Sequence, residues 1–229
     1  MNTDRKTAII VGALFIVAAA LNPIGMAIYE SILNAPDYLV NAYPNKIQVL
    51  IGILLDFLCV PLIVLIPVML FPILKQHNER LALGYVVFRI LEVAIHIVTI
   101  FSTLSLLTLS QEYVNAGAPD LSYFQTLGNS IHAEIAWNDL IYMIVFTLGA
   151  PMFYYILYQS KLIPRWISVW CIIAPALLFA GALLGMFDLI DTSKIMIFLG
   201  SPVALGELIL SVWLIAKGFN SSAIASESA

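Results

Sequence analysis

Tyr85, Arg89, Glu92, His96, Thr99 and Thr103 follow one another at intervals of four, three, four, three and four. On an α-helix that spacing puts all six side chains on one face. Glu92 and His96, at i and i+4, can offer two ligands to one metal ion. Arg89 and Glu92, three apart, can pair. Alternatively, Arg89 can meet an anionic group while Glu92 takes a proton or cation. Three more acids, Asp56, Asp139 and Glu207, lie within apolar runs. The candidate ligand- or ion-binding residues are therefore Asp56, Arg89, Glu92, His96, Asp139 and Glu207. The candidate metal ligands are His96, Glu92 and His132.

One arginine against four acids leaves an excess of negative charge. A low dielectric tolerates that only with protonation, a bound cation or access to water. Polar side chains also hold membrane helices together, so a packing role competes for each acid taken singly. His96 is the one histidine at mid-membrane depth, which disfavours a haem with two histidine axial ligands. Ser102, Ser105, Ser201 and Ser211 have no flanking motif of a serine hydrolase. No cofactor is specified by these residues.

The elements that must position them follow from composition. The chain has 229 residues, 62% hydrophobic and 10% charged, whereas soluble domains carry about a quarter charged. Its solvent is therefore lipid. The net charge of -4 is small and by itself says nothing about a nucleic-acid partner; there is no basic tract, and no nucleic-acid partner is expected. The expected partners are membrane lipids and a small polar ligand or cation, and a homo-oligomer is compatible with the sequence.

A span needs roughly 20 apolar residues. Six segments qualify, at about 8–29, 47–74, 81–109, 135–158, 167–187 and 195–216. The expected fold is all-α, a single six-span bundle over 1–219 with a disordered cytoplasmic tail at 220–229. Pro119-Asp120 followed by Leu121, Phe124 and Leu127 predicts a short interfacial helix in the outer loop between spans 3 and 4. The first apolar run exceeds a signal-peptide core and reads as a retained signal-anchor.

With the N-terminus inside, Arg5, Lys6, Lys75, Arg80, Lys161, Arg165 and Lys217 are cytoplasmic and only Lys46 and Lys194 lie outside. Both termini are thus expected in the cytoplasm. Tyr154, Tyr155, Tyr158, Trp166, Trp170 and Trp213 suit an inner aromatic belt, and Tyr29, Tyr113, Tyr123 and Trp137 an outer one. Glu92 falls about 16 Å from the inner end of its span and Glu207 about 18 Å from the outer end of its own. With Asp56 and His96 at similar depth, the polar residues are expected to converge near the midplane. Cys59 and Cys171, at different depths, are expected to stay unpaired.

Three stretches carry a resemblance. LALGYVVFRILEVA (81–94), LSLLTLSQE (104–112) and YYILYQSKLIPRWISVW (154–170) resemble a prokaryotic multi-pass membrane protein family, domain of unknown function 4386. The resemblance implies a bacterial or archaeal plasma membrane, and it carries no activity or catalytic residue over to this chain. The residues themselves favour a small carrier, or a ligand-binding and sensing protein, with a polar midplane site. The alternatives are an intramembrane metal-dependent enzyme and a non-catalytic structural or immunity-type partner.

Overall fold

The computed structural model describes residues 3–117 and 121–220. Among them there are only helices, turns and bends, with no strand. Helix α1 spans Thr3–Leu33, α2 Tyr38–Asn41, α3 Lys46–Asn115, α4 Leu121–Ser160, α5 Arg165–Met186 and α6 Thr192–Ile195. A π-helical turn, Met196–Gly200, leads into α7, Ser201–Ala216. Five of these stretches are long and apolar enough to cross a membrane, the last being the π-turn together with α7.

The longest, α3, has 70 residues and one non-helical position, Asn78, at φ -160° and ψ 97°. The Asn78 side chain accepts a hydrogen bond from the Leu81 amide at 3.1 Å. That is the geometry of an N-cap, in which a side-chain oxygen satisfies an amide left open by a helix start. On the other side of the break, the Gln76 side chain donates to the Pro72 carbonyl at 3.0 Å. The polar run Lys75 to Arg80 therefore separates two arms, 46–77 and 79–115.

Prolines 23, 61, 67, 72, 151 and 175 lie inside helices. Membrane helices accept such breaks because neighbouring groups satisfy the freed carbonyls. The short interfacial helix expected in the loop is not seen as a separate element: the chain is helical from Leu121 and does not stop. That stretch forms the first turns of the 40-residue α4. No proline interrupts 121–150, and Gly128 alone is too weak a breaker to end a helix. The proposed start at Pro119-Asp120 and the tail at 221–229 lie outside the described residues. Asn220 is tied down: its amide donates to the Leu162 carbonyl at 2.8 Å and its side chain to that of Lys161 at 3.0 Å.

Helix α5 shows what the outer surface is made of. It buries Ile167, Cys171, Ala174, Leu178, Ala182 and Gly185 on one face. On the other it exposes Trp166, Val169, Ile173 and Leu177. Both faces are apolar, which only a lipid solvent allows. The chain is a multi-pass membrane protein.

The described residues fall into two compact units, and α1, α3 and α4 supply segments to both. The first unit takes 3–19, 61–93 and 140–220. Its core includes Phe15, Leu70, Tyr85, Phe153, Tyr154, Leu157 and Leu210, with the Tyr85 and Phe153 rings stacked at 4.8 Å. Small residues allow close approach there: a Cβ on Gly12 would sit 2.7 Å from the Ser211 carbonyl oxygen. The Arg5 guanidinium caps the end of α7, donating to the carbonyls of Leu214 (2.8 Å), Ile215 (2.6 Å) and Ala216 (3.3 Å).

The second unit takes 20–60, 94–117 and 121–139. Here α1 and the first arm of α3 touch backbone to backbone. A Cβ on Gly25 would lie 2.6 Å from the Gly52 oxygen, and one on Gly52 would lie 2.7 Å from the Gly25 oxygen. The Ser110 hydroxyl takes the Tyr43 amide at 2.8 Å and donates to the Leu39 carbonyl at 3.0 Å, which anchors α2 and its loop. Tyr38 on α2 packs its ring edge against His132, and burial raises its phenol pKa.

Candidate functional site

The seam on the second arm of α3 turns inward as its spacing predicts. Tyr85, Arg89, Glu92, Thr99 and Thr103 are buried, while Val87, Ile90, Leu91, Val98 and Phe101 face out. Its charged residues enter two polar groups, one in each unit.

In the first unit, Arg89 grips Glu92 with one nitrogen on both carboxylate oxygens, at 2.8 and 3.0 Å. The Tyr142 hydroxyl donates to Glu92 Oε1 at 3.0 Å. A second guanidinium nitrogen reaches Glu207 at 3.5 Å, and the Tyr154 hydroxyl donates to that same Glu207 oxygen at 3.0 Å. The guanidinium also lies over the rings of Phe146 (5.1 Å) and Tyr85 (5.5 Å), positions that favour a cation. Glu92 is thus a carboxylate with its counter-charge built in. The Glu207 side chain is less enclosed, at 22% exposure against 2% for Glu92.

In the second unit, Asp56 is 1% exposed. It accepts from Asn22 at 2.7 Å and from the Tyr29 hydroxyl at 3.2 Å, and His96 Nε2 lies 2.9 Å from its Oδ1. Asp139 is within electrostatic reach of Asp56, His96 and Glu30. The Gly25–Gly52 contact explains the arrangement. It lets α1 and α3 approach so closely that a Cβ on Gly25 would sit 2.8 Å from the Asp56 amide nitrogen. Asn22 and Tyr29 flank Gly25 at i-3 and i+4, so they share its face and reach the carboxylate one turn beyond Gly52.

The structure thus brings Glu92 together with Glu207 and Arg89, and Asp56 together with His96 and Asp139. Of the metal candidates, Glu92 is held by Arg89, His96 meets Asp56 and His132 packs on Tyr38. Among the described residues no three His, Cys, Asp or Glu side chains gather as a metal-ligand set. Glu134, exposed, accepts from Ser102 at 2.8 Å. Cys59 and Cys171 are buried and form no disulfide.

Sequence reasoning places Asn22 at the depth of Asp56 and His96, and it missed Tyr29, Glu30, Tyr142 and Tyr154 as members of the polar groups. Tyr29 and Tyr154 suit aromatic belts by position, yet they are 6% and 1% exposed and serve as hydrogen-bond donors to acids. Helical phase held a usable signal on α1, where Asn22, Gly25 and Tyr29 lie on one face; Tyr142 and Tyr154, twelve residues apart on α4, do not share one.

The two units differ in charge. Nine of the ten basic residues belong to the first, and Lys46 alone to the second. Against it, the described residues of the second unit hold six acids: Glu30, Asp37, Asp56, Glu112, Glu134 and Asp139.

No curated protein and no solved structure matches the chain. Residues 10–218 match the family described as Domain of unknown function (DUF4386), and the chain belongs to that family.

Proposed function

We propose that this member of the family crosses a prokaryotic plasma membrane six times with both ends cytoplasmic. We further propose that it is a small carrier, or a ligand-binding and sensing protein, for a cation held at the Asp56–His96 centre. Three features support six passes. A continuous 70-residue helix would be about 105 Å long, far beyond a hydrocarbon core of about 30 Å, and it divides at Asn78. The Arg5 cap ties the start of the chain to the end of α7, as an even number of passes requires. The same end carries Lys6, Lys161, Arg165 and Lys217, which suits the cytoplasmic side.

The cation reading rests on one contrast. Glu92 has a permanently charged arginine, whereas Asp56, just as deeply buried, has Asn22, Tyr29 and His96, which is a cation only when protonated, and among the described residues no Lys or Arg. A buried carboxylate without a fixed counter-charge is costly, and a cation from outside offsets that cost. Glu30 and Asp139 add to the attraction, and six acids against one lysine among the described residues draw cations toward the unit. The ligand class is a monovalent metal ion or a protonated amine. For the first unit, the saturated Arg89–Glu92–Tyr142 group supports a packing role instead.

The test is a thermal-shift titration of the protein in lipid nanodiscs, at constant ionic strength, with sodium, potassium and small alkylammonium ions. At least one should raise Tm, since a ligand bound only by the folded state stabilises it. Asp56→Asn should abolish that rise and Glu134→Gln should keep it. Equal responses in Asp56→Asn and the unaltered protein, or no response to any cation, would sink the proposal.

A further inference from the structure

We propose that the second unit carries a specific phospholipid site at the start of α3, and that its preferred occupant has an ammonium headgroup. A cleft of about 540 Å³ lies there, within the size range of small-molecule sites. Ile28, Ile47 and Ile51 form an apolar wall, and Asn45, Lys46 and Gln48 supply polar groups. Ile47 and Ile51 are 69% and 50% exposed, a surface that an acyl chain covers at no polar cost.

Lys46 is the reason for naming a phospholipid rather than any lipid. It is the sole basic residue of its unit, and among the described residues it forms no ion pair. The Tyr43 ring holds its ammonium at 5.0 Å from the centroid, at the first residue of the apolar α3, where a span end would meet a headgroup phosphate. The acidity of the unit decides the headgroup. Six carboxylates against one lysine among its described residues disfavour a lipid with net negative charge. A zwitterion fits both demands, with its phosphodiester on Lys46 and its ammonium in the acidic field. This goes beyond the cation reading, and the residues that line the cleft are not those that bond to Asp56.

Native mass spectrometry of delipidated full-length protein tests it, with phosphatidylethanolamine, phosphatidylglycerol, diacylglycerol and inorganic phosphate as separate probes. The expected result is one tightly retained phosphatidylethanolamine, bound in preference to phosphatidylglycerol and diacylglycerol. Lys46→Gln should weaken it about fivefold, the contribution of one basic residue at a headgroup. Ile51→Trp, which fills the cleft, should weaken all three lipids. Retention unchanged in Lys46→Gln, phosphatidylglycerol bound as well as phosphatidylethanolamine, or displacement by inorganic phosphate alone would each overturn the proposal. Cation shifts that survive in Lys46→Gln would leave the Asp56 reading standing whichever way the lipid result falls.

Discussion

Glu92 and Asp56 are chemically similar, equally hidden, and treated differently by their surroundings. Glu92 receives two bonds from one arginine nitrogen and one from a tyrosine. Removing it leaves the Arg89 charge with the 3.5 Å contact to Glu207 as its remaining ion pair, beside the rings of Phe146 and Tyr85. Glu92→Leu should therefore destabilise the protein by about 3–5 kcal/mol, read as a lowered unfolding midpoint in detergent. Arg89→Leu combined with Glu92→Leu should recover most of that loss, because apolar replacement of a whole buried pair is often neutral. A double variant as unstable as the single one would mean that the pair does more than pack. The inward seam was readable at this scale, because helical spacing alone specifies a face. Its partners were not. Tyr154 meets Glu207 across 53 residues and Asn22 meets Asp56 across 34, and no local pattern encodes such distances.

Among the elements, the contact of α1 with the first arm of α3 is the most exacting. Gly52→Ala puts a methyl 2.7 Å from the Gly25 carbonyl oxygen and 3.1 Å from the Ile28 side chain. Helices that must part to admit it lose about 1–3 kcal/mol. They also carry Asn22 and Tyr29 away from Asp56, so cation-dependent stabilisation should fall in the same variant. Gly200→Ala, whose nearest neighbour would be Met196 Sδ at 3.8 Å, should be close to neutral in both assays. The break at Asn78 belongs to this scale too. A polar hexapeptide between apolar runs announces a turn. Its form, one extended residue that caps the next helix, depends on a side-chain oxygen reaching an amide three residues on. The 121–134 segment teaches the reverse: amphipathic spacing marked a helix, but spacing carries no stop signal, and α4 runs on to Ser160.

At the scale of the whole molecule, the six-pass topology is checked by labelling. In a chain whose Cys59 and Cys171 are replaced by alanine, Gln76→Cys and Lys217→Cys should react with a membrane-impermeant maleimide only from the cytoplasmic face. Asn115→Cys should react only from the opposite face, and labelling of Gln76→Cys and Asn115→Cys from one face would refute six passes. The membrane class, the apolar helices and the inward seam all follow from composition and periodicity, because hydropathy and helical phase are local properties of the chain. The assembly of the remaining partners is of another kind. Glu92 has its arginine three residues back on the same helix, a pair the sequence itself offers, and Asp56 has none near it; only the packing of α4 and α7 on one, and of α1 on the other, adds Tyr142 and Glu207 to the first group and gives Asp56 the donors Asn22 and Tyr29. That difference depends on which helices come within bonding distance. Such distances are set by tertiary contacts such as Gly25 on Gly52, and no span of sequence states them.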